Sequence, residues 1–207
     1  MNAPRLLVAA LVTVLGLTVL GACDGSDVPA PGEAQIDVDT PQLRQLKADA
    51  GIEDCAPGTG TGDAVDGGLP AVTLPCLGGG EDVDLSTLRG PLIINLWGEW
   101  CGPCRKEMPA IADFYRDHGD EVAVIGIDYQ DRQTGPAIEL ARDSGVTYPL
   151  LADTQGALLA RSPFPARMPV PSFVFVDADG KATLVTGGVD SADELAELAD
   201  QHLGTDL

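Results

Sequence analysis

The residues of this 207-residue chain whose types and spacing could do chemistry are Cys101-Gly102-Pro103-Cys104. Two cysteines three positions apart at a helix start can close a small disulfide ring. Such a pair stores and releases two electrons with no bound cofactor. Cys101, at or beside the helix N-terminus, is expected to be exposed. Free backbone N–H groups and the positive end of the helix dipole would stabilise its thiolate there. It is therefore the attacking sulfur. Cys104, one turn inside, is expected to be more buried and to keep a higher pKa. It would resolve a mixed disulfide by attacking Cys101. Pro103 removes an N–H that has no helical acceptor and stiffens the turn. The same spacing can be half of a zinc site, but the chain has no second CxxC or Cys/His pair to complete one, so no metal is expected.

Two neighbours bear on that pair. Trp100 precedes Cys101 and is expected to shape a docking surface around it. Glu107 lies three positions after Cys104, so the two share a helix face one turn apart. Ala110, Ile111 and Phe114 continue that face, which makes it apolar. A carboxyl buried there has a raised pKa and can handle the proton of Cys104. The alternative is an exposed Glu107 paired with Arg105 or Lys106. Pro109 falls inside the same helix and is expected to kink it.

These side chains need a rigid frame. Residues 91–97 form an apolar run without helical period, as a buried strand does. Residues 122–129 read as the next buried strand, followed by a helix from Gly135 to about Ser144 with Gly145 as its stop. Residues 148–151 read as a short strand and 156–161 as a helix. A turn at 177–181, a strand over 182–186 and a helix over 191–202 follow. Ser191 and Glu194 make a capping box for that helix. Upstream, 71–74 and 81–85 flank a glycine-rich turn as a hairpin, and Thr40-Pro41 opens a short helix to Ala50. The fold class is α/β.

A buried strand feeding Trp100-Cys101-Gly102-Pro103-Cys104 and a helix resembles thioredoxin. The longer string Asn95-Leu96-Trp97-Gly98-Glu99-Trp100 through Met108-Pro109 is similar to the membrane-tethered TlpA, ResA and CcmG/DsbE-like branch of that superfamily. The resemblance covers roughly residues 69–203. It implies a thioredoxin-like fold, a central mixed sheet flanked by helices, with an N-terminal hairpin and a strand-helix insertion. It implies a thiol:disulfide oxidoreductase with Cys101–Cys104 as redox disulfide. Thioredoxin carries a buried aspartate where this chain has Asn95, so that base is absent. ResA-like proteins carry a functional glutamate at the place of Glu107. Pro171 matches the cis-proline that faces the two cysteines, and Val170 before it would pair with the substrate backbone. Pro169 is out of register for that role. Gly102-Pro103 is the pair found in thioredoxin and points to a reductant, with apocytochrome c or other exported disulfides as substrates. Electrons would come from a membrane partner of the CcdA/DsbD type. The reverse direction, a DsbA-like oxidase of exported thiols, fits the same residues. A Sco-type copper chaperone needs CxxxC and a distal histidine, and a peroxiredoxin needs a lone cysteine after Thr/Ser-Pro. A non-enzymatic interaction module has no use for the dithiol.

Three cysteines remain. Leu20-Gly21-Ala22-Cys23 ends an apolar run and resembles the lipobox of bacterial lipoprotein precursors, so Cys23 is the expected lipidation site. An ordinary signal peptide or an uncleaved anchor is the alternative. The implied organisation is a leader over 1–22, a solvated tether over 23–40, a short helix and glycine-rich linker over 41–68, and the main domain over 69–207. The protein would sit on the outer face of the cytoplasmic membrane as a lipid-anchored monomer. In that oxidising compartment Cys55 and Cys76 read as a structural disulfide. Two free thiols or a second redox pair stay open. The net charge of −20, from 12 Lys+Arg against 32 Asp+Glu, excludes electrostatic binding of nucleic acid and favours basic or neutral partner surfaces.

Overall fold

The computed structural model describes residues 36–55 and 63–207. Cys23, the leader and most of the tether lie outside the described residues. In chain order the elements are α1 (Pro41–Ala50), β1 (Thr73–Leu74), β2 (Val83–Asp84), β3 (Leu92–Trp97), α2 (Gly102–His118), β4 (Ala123–Tyr129), α3 (Thr134–Asp143), β5 (Leu150–Asp153), β6 (Ser172–Val176), β7 (Ala182–Thr186) and α4 (Ala192–Leu203).

All six residues of β3 are buried, as an apolar run without helical period requires at the centre of a sheet. The five-stranded sheet has the order β5-β4-β3-β6-β7. β3, β4 and β5 run parallel, and β6 and β7 return antiparallel. This is the mixed sheet expected of a thioredoxin-like fold. Alternation along β3 divides the core in two. Ile93 and Trp97 face a layer holding residues of all four helices. Leu92, Ile94 and Leu96 face the opposite side, which β1, β2 and residues such as Leu158 and Phe164 cover. α2 packs against α4 and α1 against α3.

Local signals explain the helix ends. The Thr40 hydroxyl accepts from the N–H of Leu43, and Gly51 closes α1 in the left-handed region. Ser191 accepts from Glu194 N–H, and the Glu194 carboxylate accepts from Asp190 N–H, which caps α4.

Three expectations are corrected. Residues 156–161 are successive turns and no helix. Gly156 and Ala160 both have positive φ, and Asp153 draws the N–H groups of Ala157 and Leu158 to its carboxylate, so no helical ladder propagates. β5 starts two residues later than expected, because Pro149 has no N–H to give the ladder. The hairpin β1–β2 is paired over only two residues per strand. No described helix is long and apolar enough to cross a membrane.

Candidate active site

The end of β3 delivers the chain into α2, and Cys101 is the residue that caps that helix. Its sulfur accepts the N–H of Cys104 at 3.2 Å, so a free donor of the first helical turn points at the sulfur that would carry charge. Cys101 and Cys104 are joined as a disulfide, with Cα atoms 5.3 Å apart. Cys104 is fully buried. Cys101, expected to be exposed, is only 4% so. Its position as the cap, closed in a ring with a buried residue, draws it into the surface. The exposed member of the motif is Trp100, at 53% the one large apolar side chain left open among the described residues. Gly98 makes room for it, since a Cβ there would lie 2.6 Å from the Trp100 indole nitrogen.

Glu107 is buried within the apolar face predicted for it, at 2% exposure. Asn95 donates to its Oε1 at 2.9 Å. Burial raises the Glu107 pKa to about 7, against the opposing pull of the Asn95 amide and the nearby Val189 backbone. The alternative pairing with Arg105 does not occur. Arg105 instead forms an ion pair with Glu99 and donates to the Glu99 carbonyl at 2.8 Å.

Pro171 follows Val170 through a cis peptide bond and enters β6. Its carbonyl accepts from Gly187 N–H at 3.1 Å. The adjoining Gly188 lies against both halves of the site. A Cβ on it would come within 2.6 Å of Glu107 Oε2 and 3.1 Å of Pro171 Cγ. The structure therefore places Cys101, Cys104 and Glu107 along α2 and brings Pro171 to the Glu107 side of that helix, across Gly188. Cys55 and Cys76 form their own disulfide at the β5 edge, where Cys76 bridges Leu151.

Sequence reasoning missed several residues. Asn95 was read only as a lost base, whereas it is the hydrogen-bond donor to Glu107. Gly188 has no signal beyond a Gly-Gly turn after a strand. Asp131 accepts the N–H groups of Glu99 and Gln133, at 2.6 and 2.8 Å, and so ties the loop before Cys101 to the start of α3. Asp128 stands beside Trp97 in the β3–β4 register, fully buried, with both oxygens unpartnered. Burial first, then the Asp131 carboxyl, pushes its pKa well up. The alternation of residues 122–129 could have placed it on the helix face, but not beside another acid.

The AhpC/TSA family model matches residues 65–185. The sporulation thiol-disulfide oxidoreductase A of Bacillus subtilis (strain 168) is 23% identical over 148 residues, 70% of this chain and 88% of that protein. The solved structure of MTB dsbF, in mixed oxidised and reduced forms, superposes with a TM-score of 0.55 at 28% identity, over 64% of this chain and 98% of that one. A secreted Mycobacterium tuberculosis disulfide oxidoreductase, described as homologous to E. coli DsbE, gives a TM-score of 0.54 at 25% identity, over 63% of this chain and 96% of that one.

Proposed function

The chain belongs to the AhpC/TSA family and is a thiol–disulfide oxidoreductase of thioredoxin fold, and from that premise we propose that it reduces disulfides of exported proteins outside the cytoplasmic membrane. The observation that carries this reading is the pairing of two features at one helix start. A helix N–H points at Cys101 Sγ, and a buried carboxyl with a pKa near neutrality stands one turn beyond Cys104. The Cys101 thiolate attacks a substrate disulfide and forms a mixed disulfide. Glu107 takes the proton of Cys104, whose thiolate attacks Cys101 and releases the substrate as a dithiol. Trp100, Val170 and Pro171 receive the substrate segment. The protein is left as the Cys101–Cys104 disulfide, which a membrane donor of the CcdA/DsbD type reduces again.

The extracytoplasmic placement draws on the lipobox-like ending at Cys23 and on the secreted relative. Apocytochrome c is a suitable substrate, because the acidic surface favours basic partners. The peroxiredoxin reading is not adopted, since a CxxC dithiol replaces the lone cysteine it needs. The test is the reduction potential of the Cys101–Cys104 pair in the purified protein. A value near that of thioredoxin, about −270 mV, is expected. A value near that of strong oxidants, about −120 mV, would reverse the direction of flow.

A further inference from the structure

The Cys55–Cys76 bond has a neighbour that a passive clasp does not require. Lys47, on α1, is only 4% exposed. Its ammonium donates to the Gly79 carbonyl at 2.9 Å, to Asp54 Oδ1 at 2.9 Å and to Cys76 Sγ at 3.3 Å. Lysine is almost never this buried unless paired, and its one carboxylate partner, Asp54, is itself exposed. The surroundings are shaped to hold it. Gly78, Gly79 and Gly80 all have positive φ and wrap the side chain. A Cβ at Gly78 would come within 2.9 Å of Lys47 Cβ, and one at Gly80 within 3.1 Å of Cys76 Sγ.

A disulfide sulfur is a weak acceptor, whereas a thiolate is a strong one. The Lys47–Cys76 contact therefore gains most when the bond is broken, which makes Cys76 the better leaving sulfur. Cys55 is in the opposite environment. Its sulfur lies 3.3 Å from the Leu150 carbonyl oxygen. That oxygen can accept from a thiol S–H and repels a thiolate. Cys55 also lines a cavity of about 190 Å³ whose walls, among the described residues, include Leu92, Tyr115, Pro149 and Leu151. An attacking sulfur thus has a route to Cys55 and none comparable is needed at Cys76.

We infer that Cys55–Cys76 is a second thiol–disulfide exchange site, attacked at Cys55 from this apolar groove and releasing Cys76 as a thiolate held by Lys47. The co-reactant is a dithiol, small or protein-borne. One of its thiolates attacks Cys55 Sγ, the Cys55–Cys76 bond breaks, and the electron pair leaves on Cys76. The second thiol loses its proton to solvent and attacks the first sulfur of the co-reactant. Cys55 departs, takes up a proton and donates to the Leu150 carbonyl. The co-reactant ends as a disulfide, and two electrons have passed to Cys55 and Cys76.

The experiment uses the full chain carrying Cys23→Ser, Cys101→Ser and Cys104→Ser, so that exchange at Cys55–Cys76 is read alone. Dithiothreitol should reduce this bond in the folded protein, and Lys47→Met should slow the reduction by about threefold, the effect of about one unit in leaving-group pKa at a Brønsted coefficient of about 0.5. Two readouts hold even where Lys47→Met folds poorly. A monothiol trapped during reduction should map to Cys55 by peptide mass analysis. The reduced protein should show one thiolate by ultraviolet absorbance at a pH well below the ordinary thiol range. A bond that opens only on unfolding, an adduct on Cys76, or two ordinary thiol titrations would overturn the assignment.

Discussion

The two faces of the central sheet are built from opposite materials. On the face away from the helices, Leu92, Ile94 and Leu96 of β3 meet Ile127, Leu151, Val174 and Val176, and the two buried polar side chains of that face, Asp153 and Ser172, are both hydrogen-bonded. On the helix face the same strand presents Asn95 and Trp97, opposite Gly126 and Asp128 of β4. Among the described residues, every buried side-chain nitrogen or oxygen without a hydrogen-bond partner belongs to Asn95, Trp97, Glu107, Asp128 or Tyr148. Trp97 and Tyr148 belong to the helix-side core, and Asn95 reaches Glu107 on α2. Gly126 admits both rings, since a Cβ there would lie 2.9 Å from the Trp97 indole nitrogen and 3.2 Å from the Tyr148 ring. Each unsatisfied buried group costs about 1–3 kcal/mol. Native proteins keep few of them, so their concentration on one face of the sheet is a cost in stability that the proposed proton handling at Glu107 accounts for in part. The apolar face holds the sheet together, and the helix face works.

The first way to break this comparison is on the apolar face. Ile94 is fully buried there. Ile94→Ala should cost about 2–5 kcal/mol in denaturant unfolding. The exchange rate per folded molecule and the potential of the Cys101–Cys104 pair should not change. A loss of rate that tracks the loss of stability would mean that the faces are not separable.

The next effect lies on the other face. Glu107→Gln should slow the step at Cys104 by about 100-fold, the range of a lost general base, read by stopped-flow resolution of a mixed disulfide. The same substitution should stabilise the fold. The pKa of Glu107 rises from 4.5 to about 7 on folding, so the folded state retains a proton that the unfolded chain releases. Wild-type stability therefore falls as pH rises from about 4.5 to about 7 and stays lowered above that. The full deficit is about 3 kcal/mol from the shift alone. The Gln variant should lose this pH dependence and gain most of that amount at pH about 8. A variant that is both slower and less stable would make Glu107 a structural residue.

Much of this contrast could be read from residue order, and the unread part has a physical cause. The strand before Cys101, the helix after it and the face shared by Cys104 and Glu107 follow from period and spacing, because those relations are local. Gly188 and Asn95 reach Glu107 across the chain, and nothing near either residue announces that contact. Residues 156–161 read as a helix, yet the carboxylate of Asp153 and a left-handed Ala160 decide their course. The lysine at Cys76 was equally hidden. In sequence Lys47 is one charge in a short helix, and only the structure sets it against Gly79 and Cys76.

Asp128 is the smallest and sharpest test. It lies on the sheet face that α2 and Glu107 cover, is as deeply buried, and also has its pKa pushed up, but it makes no hydrogen bond to either cysteine of the CxxC. The Asp131 carboxyl adds to that rise, and it already holds the N–H groups of Glu99 and Gln133. A second carboxylate there is repelled, whereas an amide can donate to Asp131. Asp128→Asn should raise stability at neutral pH by about 1 kcal/mol, the value of one net hydrogen bond. The sign follows from linkage. A group whose pKa rises on folding loses stability as pH climbs from its unfolded value through the folded one, and the amide removes that loss. If Asp128 is only a cost of crowding acids at the end of β4, exchange at Cys104 proceeds at the wild-type rate in the more stable protein. If the rate falls with Asp128→Asn while stability rises, Asp128 passes protons as Glu107 does, and the working part of the helix face extends from α2 to the edge of β4.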